Sequence, residues 1–140
     1  MTRYLLDTDT VSNLMHGRSA RLQSRIDALN DDAELCISVI TEAEMRYGVA
    51  LKPGGHKLAS SVDLVLAGFE ILPWSSEAAA AYGEFRAENR RRGLAAGNLD
   101  MLIAAQAIAV GAVLVTSDAA IAKLAGGLVT VNWADDLRPN

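Results

Sequence analysis

Short, nearly continuous apolar runs alternate along the chain with longer stretches whose apolar positions recur every three or four residues. The runs at residues 4–6, 35–40, 69–72, 112–116 and 128–131 predict strands. Between them the spacing predicts helices over residues 10–15, 20–29, 42–50, 56–66, 77–91 and 99–110, with a short one over 119–125. Strands that are apolar throughout and separated by helices imply a parallel sheet covered on both faces. The expected fold is therefore α/β, a three-layer α/β/α sandwich around a central, mostly parallel sheet. Breaks at Pro53-Gly54-Gly55, at residues 93–97 and at Gly126-Gly127 are too short to be interdomain linkers. Residues 1–140 are thus expected to form a single domain, with a polar tail from Asp135 that frays.

Composition narrows the setting. Half of the 140 residues are apolar, enough for one core without disulfides. The lone cysteine, Cys36, lies inside an apolar run, where a thiol is expected to fill core space. The amino terminus lacks the basic region and long apolar core of a signal peptide. The most membrane-like stretch, residues 101–110, falls short of the roughly 20 residues needed to cross a bilayer. A cytoplasmic protein with no membrane association is expected. The net charge of −4 argues against a strongly basic nucleic-acid binder, but arginines bunch locally at Arg86, Arg90, Arg91 and Arg92, and again at Arg18, Arg21 and Arg25. Each bunch could equally be a solvated helix face.

Carboxylates change the picture more than charge does. In an open parallel sheet, ligands bind beyond the carboxyl ends of the strands. Asp7 ends the first predicted strand, with Asp9 two residues on. Glu44 lies in the first turn of the helix after the second strand, Asp100 opens the helix before the fourth, and Asp118 follows the fourth directly. Each has a structural explanation. Thr41 and Glu44 fit a capping box, Asp100 complements a helix dipole, and Asp9 and Asp118 could cap the helices that follow them. Taken together, Asp7, Glu44, Asp100 and Asp118 would project toward one sheet edge. Two carboxylates about 4 Å apart repel by roughly 4 kcal/mol at an effective dielectric near 20, so such a cluster must take up protons or cations. Oxygen donors suit Mg²⁺ or Mn²⁺, while His16 and His56 show no zinc spacing.

At these residues the sequence resembles a PIN-domain nuclease of the VapC group, nearly end to end. The matching segments are Leu5-Leu6-Asp7-Thr8-Asp9, then Ile37 through Gly48 with Glu44, then Gly97-Asn98-Leu99-Asp100-Met101-Leu102-Ile103-Ala104-Ala105. Leu114-Val115-Thr116-Ser117-Asp118 and Gly127 through Trp133 complete it. The resemblance implies a Mg²⁺-dependent endoribonuclease, with Mn²⁺ as a substitute. It assigns Asp7, Glu44, Asp100 and Asp118 as metal-binding acids, with Thr116 and Asp9 in support. It further implies a toxin that cleaves single-stranded tRNA or rRNA loops, works as a homodimer and is held by a cognate antitoxin in a heterotetramer or larger assembly. Arg46, Arg86, Arg90 and Arg91 are candidate contacts for RNA or antitoxin. Many relatives carry an acid and an aromatic a few positions beyond the fourth strand; here that stretch reads Ala119-Ala120-Ile121-Ala122, so any fourth carboxylate falls to Asp118.

Two other readings compete. Asp7-Thr8-Asp9-Thr10-Val11 resembles the nucleophile loop of haloacid-dehalogenase-like phosphatases, with Asp7 phosphorylated, Asp9 as general acid and Thr116 on the phosphate. That family expects a lysine and a late acidic pair after a strand, for which Asp135-Asp136 would have to serve. A non-enzymatic receiver-like module also places carboxylates at strand ends, but a lysine after the last strand is missing.

Overall fold

The computed structural model describes residues 1–136. In chain order the elements are β1 (Thr2–Leu6), α1 (Thr8–Met15), α2 (Ala20–Asp27), β2 (Ala33–Ser38), α3 (Val39–Ala50), α4 (His56–Leu66), β3 (Glu70–Leu72), α5 (Ser76–Arg91), α6 (Asn98–Ala109), β4 (Val113–Val115), α7 (Ala119–Ala122) and β5 (Thr130–Val131). The strands form one sheet of order β3-β2-β1-β4-β5, with every pairing parallel. This is the three-layer α/β/α arrangement expected from the sequence.

Alternation along β1 sorts the two layers. Leu5 joins Cys36 and Leu114 in a core with Phe85 of α5 and with Met101, Ile103 and Ala104 of α6. Leu6, one residue on, points the other way. It packs with Ile37 and Val115 against Val11, Leu22, Met45 and Val62 of α1 to α4. Neighbouring strands keep step, with Leu5 opposite Cys36 and Leu114, and Leu6 opposite Ile37 and Val115. Burying a Leu or Ile side chain stabilises by about 1.5–3 kcal/mol, so a one-residue slip of β1 would exchange its two leucines between the cores.

The strand order places the site. From β1 the chain steps outward through β2 to β3, then crosses to the other side of β1 for β4 and β5. Order therefore reverses between β1 and β4, and a crevice opens beyond their carboxyl ends. Asp7 follows β1 there, Thr116 and Asp118 follow β4, and Asp100 lies in the first turn of α6, the helix leading into β4.

Several local boundaries differ from expectation. The apolar run 35–40 is not all strand, because β2 ends at Ser38 and α3 begins at Val39. The Ser38 hydroxyl accepts a hydrogen bond from the Ile40 amide at 3.0 Å and makes Ser38 the N-cap. Thr41 and Glu44 therefore form no capping box. Likewise α1 starts at Thr8, capped by Asp7 through the Thr10 amide at 2.9 Å, so Asp9 is an exposed first-turn residue and not a cap. The tail is tied where it was expected to fray. Asp135 pairs with Arg21 and Arg25, and the Ser19 hydroxyl donates to Asp136 at 2.5 Å; residues 137–140 of that tail lie outside the described residues. Among the described residues, no helix is long and apolar enough to cross a membrane.

Candidate active site

Asp7 is only 2% exposed, although it is an acid at the end of a strand. Its backbone amide donates to Val115 of β4, which carries the strand pairing one step beyond β1 and fixes the carboxylate over the crevice. Burial pushes the Asp7 carboxyl above its usual range, against the pull of hydrogen bonding from Thr10 and Thr116, and the charge of Asp9 pushes it further. Thr116 is itself buried and accepts from the Asp118 amide at 3.1 Å, so it stands between the two acids.

Asp100 shows most directly that the acids converge. Its carboxyl is pushed up to about 6, first by burial and then by the negative charges of Asp7, Asp9, Glu44 and Asp118. Five carboxylates from four separate connections thus share one electrostatic environment. The backbone beside Asp100 is tailored to it. A Cβ placed on Gly97 would lie 3.0 Å from Asp100 Oδ2, so glycine leaves the space that the carboxylate occupies.

Glu44 reaches the crevice from α3. The Thr8 hydroxyl donates to its Oε1 at 2.7 Å and lies 3.1 Å from the buried Thr41 hydroxyl. Since Thr8 has one hydroxyl proton and gives it to Glu44, Thr41 must donate to Thr8, forming a short relay. Asp118 behaves differently. Its Oδ1 accepts from the Ala120 and Ile121 amides at 2.7 and 3.3 Å, which makes it the N-cap of α7 as its local explanation required. Sequence reasoning missed Thr8, Thr41 and Gly97; only the pairing of α1 with α3 and the close approach at residue 97 mark them.

The arginines divide into two groups. Arg46 pairs with Asp63 and Glu42, and Arg91 and Arg92 pair with Glu88. Arg86 instead reaches Asn98 Oδ1 at 3.2 Å and contacts Tyr82, while Arg90 has no side-chain partner among the described residues.

The donor set fits a hard divalent cation. All its donor atoms are oxygens, and burial, with the surrounding negative charge added, raises the Asp100 pKa in a way that a bound cation would offset. The ring is open, however. Among the described residues, the group whose ligand atoms all lie within 4.8 Å of one another is Glu34, Cys36 and Glu70 on β2 and β3. That group is a poor metal site, because Glu34 is paired with Arg3 at 2.9 Å and burial pushes the Cys36 thiol up to about 11. The wider acidic ring suits a hydrated divalent cation, which keeps several waters and takes only one or two carboxylates directly.

Comparison with known proteins agrees with this geometry. The PIN domain family model matches residues 4–127. The chain belongs to the PIN-domain family. Within it, this PIN domain is 33% identical over 130 residues to Ribonuclease VapC2 of Rickettsia felis, covering 93% of this chain and 97% of that protein. It is 26% identical over 134 residues to the tRNA(fMet)-specific endonuclease VapC of Shigella flexneri, covering 96% and 100%. In three dimensions it resembles a chain of VapBC2 from Rickettsia felis bound to a promoter DNA fragment, with TM-score 0.87, 31% identity and 94% and 99% coverage. DNA-bound VapBC from Salmonella typhimurium gives TM-score 0.86 at 28% identity, covering 95% and 99%.

The rival readings lose their support in this PIN domain. The late acidic pair that a phosphatase would need, Asp135-Asp136, is engaged with Arg21, Arg25 and Ser19. The receiver reading leaves Glu44 and Asp100 unexplained, whereas both act electrostatically within one cluster.

Proposed function

We propose that this chain is a metal-dependent endoribonuclease, the toxin of a toxin–antitoxin pair, working as a single nuclease domain over residues 1–140. The observation that carries the reading is the shared field of Asp7, Asp9, Glu44 and Asp118 at Asp100, in the crevice where strand order reverses. Relatives named as ribonucleases and as an endonuclease specific for tRNA(fMet) support RNA as the substrate class, with a tRNA or rRNA loop as the target.

Asp7, Asp100 and Glu44 would hold a Mg²⁺ ion, for which Mn²⁺ could substitute. When bound, such an ion lowers the pKa of a water and stabilises the leaving oxygen in phosphodiester hydrolysis. The chain supplies the positioning. Asp7 is fixed by the Thr10 amide and the Val115 carbonyl, Glu44 by the Thr8 hydroxyl, and Asp100 by the first turn of α6. Thr116 orients Asp7, and Asp9 and Asp118 add negative charge from the rim. The burial of Asp7 and Asp100 restricts bulk water and strengthens their hold on a cation.

The likeness to chains of solved VapBC complexes supports an antitoxin partner, and a homodimer held by it in a heterotetramer or larger assembly is the arrangement proposed. The absence of a membrane-crossing helix among the described residues accords with a cytoplasmic protein. The deciding experiment measures cleavage of a tRNA pool by the purified chain with Mg²⁺, with EDTA, and with Asp7→Asn or Asp100→Asn. Cleavage that survives EDTA, or that either folded variant retains in full, would rule out this mechanism.

A further inference from the structure

A second concavity lies at the start of α6, the helix whose first turn carries Asp100. Between the carboxyl-terminal turn of α5 and the connection at residues 93–97, a groove of about 310 Å³ is lined by Arg86, Arg90, Leu94, Ala96 and Met101, among others. Met101 follows Asp100 in α6, and Asn98, which Arg86 touches, precedes it by two residues. The groove therefore opens within one helical turn of the proposed centre. Neither this groove nor the larger cavity, about 650 Å³ and lined by Phe85, Glu88, Ile108 and Gly126, has a site acid in its own lining, but the groove's lining includes the chain neighbour of one, Met101 beside Asp100.

Charge placement sets this groove apart. Among the described residues, Arg3, Arg21, Arg25, Arg46, Arg91 and Arg92 each pair with a carboxylate. Arg18, Arg86 and Arg90 do not. Arg18 is hydrogen-bonded to Ser12 and Asn13 near the end of α1, whereas Arg86 and Arg90 both line the groove. An acidic centre repels the phosphates of a substrate strand, so unneutralised guanidinium groups beside it are where a polyanion gains most. Half-buried Leu94 and Ala96, over a floor of buried Met101, offer a nucleobase an apolar surface that phosphate alone would not need.

Resting on the nuclease reading above, we propose that this groove is a nucleotide subsite. It accepts one unstacked base of single-stranded RNA against Leu94 and Ala96, with the adjoining phosphates on Arg86 and Arg90. Apolar packing tolerates any base, so the subsite holds the strand in register with Asp100 and does not by itself read sequence. Arg86, held between Tyr82 and Asn98, is the preordered contact, and Arg90 is the one without a side-chain partner among the described residues.

The test uses the full chain carrying Asp7→Asn, so that RNA is bound without being cut. A fluorescein-labelled ten-nucleotide RNA of randomised sequence, containing 4-thiouridine, is the probe, and affinity is followed by anisotropy at several salt concentrations with Mg²⁺ present. Adding Arg90→Ala or Arg86→Gln should weaken binding roughly tenfold at low salt. Each should also lower the slope of log affinity against log salt by about 0.7, the value for one phosphate contact on a single strand. Arg90→Lys should restore most of the slope, Arg92→Ala should leave both readouts unchanged, and photocrosslinks should fall within residues 86–101. Unchanged affinity and slope in the Arg86 and Arg90 variants, or crosslinks only elsewhere, would overturn the subsite. If the otherwise unaltered chain still cleaves the pool, the nuclease reading then stands by itself; no binding and no cleavage would remove both.

Discussion

The Thr8 hydroxyl donates a 2.7 Å hydrogen bond to Glu44 Oε1, joining two residues 36 positions apart in the chain. It links the first turn of α1 to α3 and aims one acid of the crevice from a helix that begins on a different strand. With Thr41 donating in turn to Thr8, the Glu44 carboxylate is set by two hydroxyls that have no chemistry of their own to perform.

Thr8→Val keeps the shape of that side chain and removes its proton. Cleavage should fall at least tenfold while stability falls by only about 1 kcal/mol, the net worth of one hydrogen bond. Thr8→Ser should retain most activity. Urea unfolding and single-turnover cleavage on the same preparations separate the two effects, and a normal rate in Thr8→Val would show that Glu44 needs no such anchor.

Asp100 makes the metal-free protein pH-sensitive in a defined sense. In the unfolded chain its carboxyl loses its proton near 3.8, and in the folded chain near 6. Between these values the folded state binds more protons, so this group's contribution to stability declines as pH rises through that window and is fully unfavourable above it. In EDTA, Asp100→Asn should raise the melting temperature at pH 7.5 more than at pH 5, and with Mg²⁺ present it should abolish cleavage. Saturating Mn²⁺ should stabilise the unaltered chain more at pH 7.5 than at pH 5, and Asp100→Asn should blunt that gain. Equal melting shifts at both pH values would contradict the assignment.

Gly97 tests the same carboxylate sterically. Its backbone angles are open to any residue, but a Cβ there would meet Asp100 Oδ2 at 3.0 Å. Gly97→Ala should therefore displace the acid and cut cleavage severalfold with a change in stability below about 1 kcal/mol. Isothermal titration with Mn²⁺ should show weaker binding in step with the lost rate.

Asp118 has two roles that one substitution separates. Asn caps a helix as well as Asp does, whereas Ala costs about 1 kcal/mol. Asp118→Asn should thus melt like the parent chain, and Asp118→Ala should melt earlier. Cleavage should drop less in Asp118→Asn than in Asp100→Asn, because Asp118 Oδ1 already accepts hydrogen bonds from two amides of α7. A complete loss of activity in Asp118→Asn would promote it to an essential ligand.

The sequence by itself determined the layer order and four of the five acids' places at element ends. Buried parallel strands must be apolar on both sides, and the helices between them must be amphipathic, so periodicity alone discloses a covered parallel sheet. It could not locate the end of β2. Residues 35–40 are apolar whether extended or helical, and only the Ser38 cap decides where the helix begins. Nor could local chemistry choose between roles for the acids, since Asp7 and Asp118 do cap helices, as nearby hydrogen bonds allow. Tertiary structure alone gathered Asp7, Asp9, Glu44 and Asp118 around Asp100 so that burial and their charge raise its cost of ionisation, brought Thr8 to Glu44, and left Arg86 and Arg90 without carboxylates in one groove. Coulomb interactions and hydrogen bonds depend on distance through space, and strand order, which no short window of residues encodes, sets those distances.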